Sequence, residues 1–229
     1  MPVWQLVLLV ALSLPAGSIA RSLIDRGPTD LPLLGAVRLP GASAPEVLIQ
    51  VLLSVGFLGV GLRFGEHALG VVLGMAMALT VLVALSVIDI ATYRLPDRIV
   101  LPTLCGAIVW VTAISLIDGH PERIRSALAG AVVYFGVLLL AHLVSPRGMG
   151  FGDVKLAALL GLLLGWVTSS AVDAVVLVLW AMLIGFAIGT LAGLVILLRR
   201  RSNRPFPFGP FLVLGTLVAL LASSRILGS

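Results

Sequence analysis

Eight apolar runs, separated by short polar segments, organise this chain: roughly residues 3–20, 47–63, 67–88, 98–117, 125–144, 154–168, 171–198 and 208–223. A helix that crosses a bilayer needs about 20 apolar residues. The second, sixth and eighth runs fall short, so they are expected to tilt little, to begin outside the hydrocarbon or to be partly re-entrant. The pattern predicts an all-α protein: a polytopic transmembrane helical bundle of about eight spans, forming a single integral-membrane domain over residues 1–229.

Composition agrees. Of 229 residues, 60% are hydrophobic and 11% charged, with a mean hydropathy of +1.19; soluble domains carry about a quarter charged residues. The pI near 10.6 does not indicate nucleic-acid binding, because the basic residues sit between apolar runs and form no continuous patch. The lone Cys105 lies inside an apolar run and reads as a free buried thiol. With no CxxC pair a cysteine zinc site is excluded.

The first run resembles a secretory signal, but Lys and Arg are absent before it, while Arg21 and Arg26 follow it. That is the charge pattern of an anchor with its N-terminus outside. In this orientation eleven basic residues face the cytoplasm: Arg21, Arg26, Arg38, Arg94, Arg98, Arg147, Lys155, Arg199, Arg200, Arg201 and Arg204. Four face the other side: Arg63, Arg123, Arg125 and Arg225. The run RRRSNR at 199–204 reads as an anchor for anionic lipid heads. Glycines four apart (Gly70 and Gly74; Gly161 and Gly165; Gly185, Gly189 and Gly193) predict close helix packing.

Three acids stand at helix ends on the predicted cytoplasmic face: Asp89 closing the third run, Asp97 opening the fourth and Asp153 opening the sixth. Ionisable residues so placed usually face the bundle interior and mark function. Asp97, after Pro96, has the position of an N-cap. Asp153 also suits a cap, favoured by the helix dipole. Asp89 sits where the dipole disfavours an anion, and Arg94 is its nearest candidate ion-pair partner. Two carboxylates on neighbouring helices can share one proton and activate water against a peptide bond, without metal or covalent intermediate. The alternating Gly148, Gly150 and Gly152 before Asp153 leave a backbone that a peptide strand can approach.

These residues resemble the type IV prepilin peptidases, membrane aspartyl proteases of the GxGD type. GMGFGDVKL (148–156) matches the second-aspartate motif, and IDIATYRLPD (88–97) looks like the first. FPFGPFL (206–212) is similar to a third signature, and PAGSIARSLIDR (15–26) echoes the stretch after the family's first helix. The resemblance is concentrated in 88–212. It implies catalytic roles for Asp89 and Asp153, and supporting roles for Gly150, Gly152, Pro96, Asp97 and Lys155, the lysine tuning local charge or gripping substrate or lipid. It implies removal of the leader from prepilins or pseudopilins at the cytoplasmic face of a bacterial inner membrane, in pilus assembly or protein secretion, with no cofactor. The family's long form carries a cysteine-containing segment after the first helix and also methylates the new N-terminus. The corresponding loop here, about 21–46, is short and has no cysteine, so methyltransferase activity is expected to be absent.

His67, His120 and His142 show no metal-ligand spacing and are assigned surface or packing roles. Trp4, Trp110, Trp166 and Trp180 are placed at interfaces or between helices, and the eight phenylalanines show no stacking pattern. Pro205, Pro207 and Pro210 stiffen the loop before the last run. Two other functions fit the acids: a GxGD protease acting on another substrate class, such as preflagellin or signal-peptide remnants, and a proton-coupled transporter with Asp89 and Asp153 as relay groups.

Overall fold

A computed structural model describes residues 3–28, 43–146, 148–200 and 206–228. Among these residues every ordered element longer than a turn is a helix. The helices are α1 (Val3–Ala11), α2 (Ser13–Arg26), α3 (Ala44–Phe64), α4 (Leu69–Thr92), α5 (Asp97–Ile117), α6 (Glu122–Val144), α7 (Phe151–Trp166), α8 (Ala171–Arg200), α9 (Gly209–Leu221) and the short α10 (Ser223–Leu227). Arg38, Arg147, Arg201, Arg204, Pro205 and most of the 21–46 loop lie outside the described residues.

All eight apolar runs are helical. Six helical stretches among the described residues are long and apolar enough to cross a membrane: Val3–Arg26, α3, α4, α5, α6 and the Ala171–Ile196 part of α8. The second run is longer than expected, because Ala44, Pro45 and Glu46 extend α3 beyond its apolar part. The sixth and eighth runs remain short, at 16 and 13 residues for α7 and α9.

The chain forms two compact units, residues 1–88 and 89–229, with the boundary inside α4. In the first unit, α1 and α2 are nearly one helix with a break at Leu12. Pro15 accounts for it: the ring lacks an N–H and collides with the carbonyl four residues back. Antiparallel α2 and α3 meet along a ladder of polar residues spaced four apart. Ser13 Oγ is 2.9 Å from Ser54 Oγ, Gln50 Nε2 donates to Ser13 Oγ at 2.9 Å, and Arg21 pairs with Glu46 at 2.8 Å. Gly17 lies directly under the Gln50 side-chain carbonyl. In a bilayer such bonds supply the specificity that hydrophobicity cannot, since lipid is as apolar as leucine.

The second unit is built around α7. Twelve of its sixteen residues are buried, on every side of the helix, and α5, α6, α8 and α9 pack against it. A helix apolar all round belongs in an interior. Shielded by protein, α7 does not have to match the bilayer's thickness, which explains its length. It meets α6 at backbone distance: side chains at Gly161 and Gly165 would strike the carbonyls of Gly130 and Ser126. At its far end Trp166 Nε1 donates to the buried Ser115 Oγ of α5 at 3.1 Å.

Cys105 corrects the sequence reading. It is exposed on α5, not buried. Only 22% of the apolar window of α5 is buried inside the protein, so its apolar surface faces outward, where lipid would lie.

Candidate active site

Both aspartates fall in the second unit. Asp89 sits in the last turn of α4 and is 4% exposed; Asp153 sits in the first turn of α7 and is 8% exposed. α4 ends just past Asp89 by a left-handed turn. Tyr93 takes φ +55° and its N–H bonds back to Asp89 O at 2.8 Å. This conformation is uncommon for a residue with a Cβ, and it closes the helix much as a glycine cap does. Arg94, Leu95 and Pro96 then lead directly into α5.

The Asp89 carboxylate is held by the Gly209 N–H, 3.0 Å from Oδ2, rather than by Arg94. Gly209 is the first residue of α9. An anion disfavoured by its own helix end is thus met by the N-terminus of another, where unbonded N–H groups and the positive dipole end favour it. Asp153 is the third residue of α7. Its carboxylate accepts from the N–H of the N-cap residue, Gly150, as in the acidic half of a capping box. Asp153 is thus not the N-cap, which is Gly150, although its carboxylate does accept a hydrogen bond at the helix start. Asp89 is also an electrostatic neighbour of Asp153.

Leu95 ties the motifs together. A Cβ on Gly152 would lie 3.0 Å from Leu95 Cβ, and one on Gly209 would lie 3.6 Å from Leu95 Cδ1. Of the glycines before Asp153, Gly152 thus serves close packing. Gly150 has φ −68° and Gly152 is helical, so neither needs glycine's conformational freedom. At Gly150 an added Cβ would stand 3.4 Å from Asp153 Oδ2, in ordinary contact.

Asp97 is not an N-cap. Pro96 occupies that position at φ −72°, ψ 123°, and Asp97 is the first helical residue. Its Oδ2 pairs instead with Lys155 Nζ at 2.7 Å, and the same ammonium lies 5.0 Å from the Phe151 ring centroid. The pair joins the start of α5 to the start of α7. The proline's fixed φ suits the extended entry to α5.

Three contributors were not legible as site residues. Gly209 gives only a backbone N–H. Leu95 is one leucine among many. His142, at the end of α6, donates from Nδ1 to Met149 O at 2.8 Å and packs on Phe151, with ring centroids 5.4 Å apart; a histidine one short loop before a glycine-rich segment was the available signal. The phenylalanines do pair, contrary to the sequence reading: Phe206 stacks on Phe211 at 5.1 Å and 11°, and Phe186 meets Phe208 at 5.1 Å and 43°. Among the described residues no three His, Cys, Asp or Glu side chains cluster as metal ligands.

Comparison with known proteins follows the same residues. Positions 76–198 match the type IV leader peptidase family. The chain is 36% identical over 156 residues to the prepilin leader peptidase/N-methyltransferase of Aeromonas salmonicida (strain A449), covering 66% of this chain and 50% of that protein. It is 38% identical over 140 residues to the protein of the same name from Escherichia coli (strain K12), covering 59% and 57%. The Pseudomonas aeruginosa protein of that name is 37% identical over 153 residues, covering 63% and 48%. The chain spans about half the length of the curated relatives it matches. No solved structure matches it. With its matched segment running from α4 into α8 and including both aspartates, the chain belongs to the type IV leader peptidase family.

Proposed function

We propose that this protein is a membrane aspartyl endopeptidase that removes the leader peptide of type IV prepilins or pseudopilins at the cytoplasmic face of the inner membrane. Asp89 and Asp153 are its catalytic pair, and residues 1–229 act as one peptidase domain. The observation that supports this most is the burial of two carboxylates, electrostatic neighbours, at helix ends within one compact unit. Family membership and the relatives' names supply the substrate class.

The chemistry needs one proton shared by the pair. The ionised carboxylate takes a proton from water as the water oxygen attacks the peptide carbonyl carbon. The protonated one gives its proton to the carbonyl oxygen. As the resulting diol collapses, the C–N bond breaks and the amine nitrogen takes the proton held by the first carboxyl. A hydroxyl proton returns to the second carboxylate. Acid and amine leave, and the pair again holds one proton. Gly150, Gly152, Pro96, Asp97 and Lys155 keep the two helix ends in register.

The cytoplasmic placement rests on the basic residues, eleven against four across the predicted loops. N-methylation by this chain is expected to be absent, because residues 21–46 lack the cysteines that the family's long form carries in the corresponding segment. Both readings are tested by incubating purified protein with a candidate prepilin and measuring product mass. Loss of the leader with no added methyl group is expected. An intact prepilin would overturn the peptidase reading, and a methylated product would overturn the second.

A further inference from the structure

The family match ends at residue 198, yet the hydrogen bond on Asp89 comes from Gly209. We propose that the segment 206–212 is a positioning element for Asp89, with the Gly209 N–H as its working group; this rests on the peptidase reading.

The start of α9 is arranged to spend one backbone donor on the carboxylate. Pro210 has no N–H. The N–H groups of Phe211 and Leu212 return to Phe208 O at 3.1 and 3.3 Å. The Gly209 N–H points instead to Asp89 Oδ2, in a buried bond. A Cβ at Gly209 would stand 2.9 Å from that oxygen, closer than a carbon and a carboxylate oxygen normally approach, so only glycine brings its N–H this near without displacing the acid.

The segment is seated on α8. Gly185, Gly189 and Gly193, each four residues apart, present a face without side chains. Phe211 O lies 2.9 Å from where a Gly185 Cβ would be, the Phe208 ring edge 2.9 Å from that of Gly189, and the Phe206 ring 3.9 Å from that of Gly193. Gly185 packs helix on helix as expected, its backbone against Phe211 and Gly215 of α9, whereas Gly189 and Gly193 carry phenylalanine rings. The Phe206–Phe211 stack and the Phe186–Phe208 contact lock those rings in turn. The chain of contact thus runs from α8 through Phe208 to Gly209 and on to Asp89. Pinning Oδ2 fixes the carboxylate's rotation and leaves Oδ1 for the proton of the attacking water. Gly209 is a positioning residue that acts through Asp89.

The test is prepilin cleavage kinetics on purified full-length variants, with detergent-monodisperse yield and thermal unfolding as checks on folding. Gly209→Ala and Gly189→Ala should each lower kcat on the order of 10- to 100-fold, the range for small misplacements of a reacting group, with KM unchanged. Gly106→Ala, on an open face of α5 with nothing within 4 Å, should match the wild type. Gly189→Ala combined with Phe208→Leu should recover kcat to within about threefold of wild type, since trimming the ring relieves the clash between contacting residues. A merely structural role would lower yield or unfolding temperature and would give no kcat-specific loss that the smaller ring repairs. If the wild type cleaves and Asp89→Asn does not, but both glycine variants keep full kcat, the positioning role is wrong and the peptidase reading stands. If the wild type cleaves nothing, the peptidase reading falls and this role falls with it.

Discussion

Lys155 Nζ lies 2.7 Å from Asp97 Oδ2, joining the first residue of α5 to a residue two positions past Asp153 on α7. The lysine is 20% exposed and the aspartate 56% exposed, so the pair is partly solvated and contributes about 0–1 kcal/mol to stability. Its consequence is register between the start of α5, at the end of the Asp89 motif, and the start of α7, which carries Asp153. Lys155→Met is expected to slow cleavage about tenfold, ~1.4 kcal/mol in the barrier, with little change in unfolding temperature. Exchanging the charges, Asp97→Lys with Lys155→Asp, should restore most of the rate. Should the exchanged protein be as slow as the single variant, the lysine has a role other than pairing with Asp97.

Asp89→Asn and Asp153→Asn are isosteric and leave the surrounding helices in place. Each removes one half of a proton-shuttling pair, and general acid–base groups typically contribute about 10²- to 10⁴-fold. Each variant should therefore lose cleavage by at least ~10²-fold while remaining inserted and folded. The double variant should be little worse than either single one, because groups that act as a unit are not additive. Additive losses, measured as single-turnover rates, would contradict a shared proton.

The two aspartates were legible because each violates an expectation: a charge in an apolar chain, one of them at a helix end that its own dipole disfavours. The relief of that violation was not legible. It comes from a backbone N–H 120 residues away, and a glycine has no side chain to announce it. Cys105 was misread for a related reason. Hydropathy separates membrane from water, but lipid-facing and protein-facing positions are equally apolar, so an apolar run does not reveal which face is buried. The same ambiguity hid the nature of α7, whose leucines are core, while those of α5 and α6 are largely exposed. The Phe186–Phe208 contact joins residues 22 apart, on α8 and the following segment, and depends on how the chain returns. Local pattern cannot supply that.

A shared proton also dictates the form of the pH dependence. At low pH both carboxyls are protonated and no base remains to take the water proton. At high pH both are ionised and no acid remains for the carbonyl. The pH profile of kcat/KM should be a bell, losing activity in both directions, and its two limbs belong to the pair rather than to either residue. Both limbs should vanish with the residual activity of either Asp→Asn variant. A single rising limb across the accessible range would leave the mechanism without its acid.

The α6–α7 crossing offers a test of packing that is independent of catalysis. A Cβ on Gly165 would lie 2.7 Å from Ala127 Cα and would strike the Ser126 carbonyl. Backbone atoms cannot rotate away as a side chain can, so the helices must separate along the face where α7 is most deeply buried. Forced separation of this kind costs about 1–3 kcal/mol. Gly136, on α6 itself, has nothing within 4 Å of its would-be Cβ. Replacing it with alanine relieves the intrinsic helix penalty of glycine, about 0.8–1 kcal/mol in water. Gly165→Ala should thus lower the unfolding midpoint in detergent and Gly136→Ala should leave it level or raise it. Opposite signs from one chemical change on two packed helices would locate the contact. Equal shifts would mean that α6 and α7 do not meet at Gly165, and α7 would then need another reason to be buried on every side.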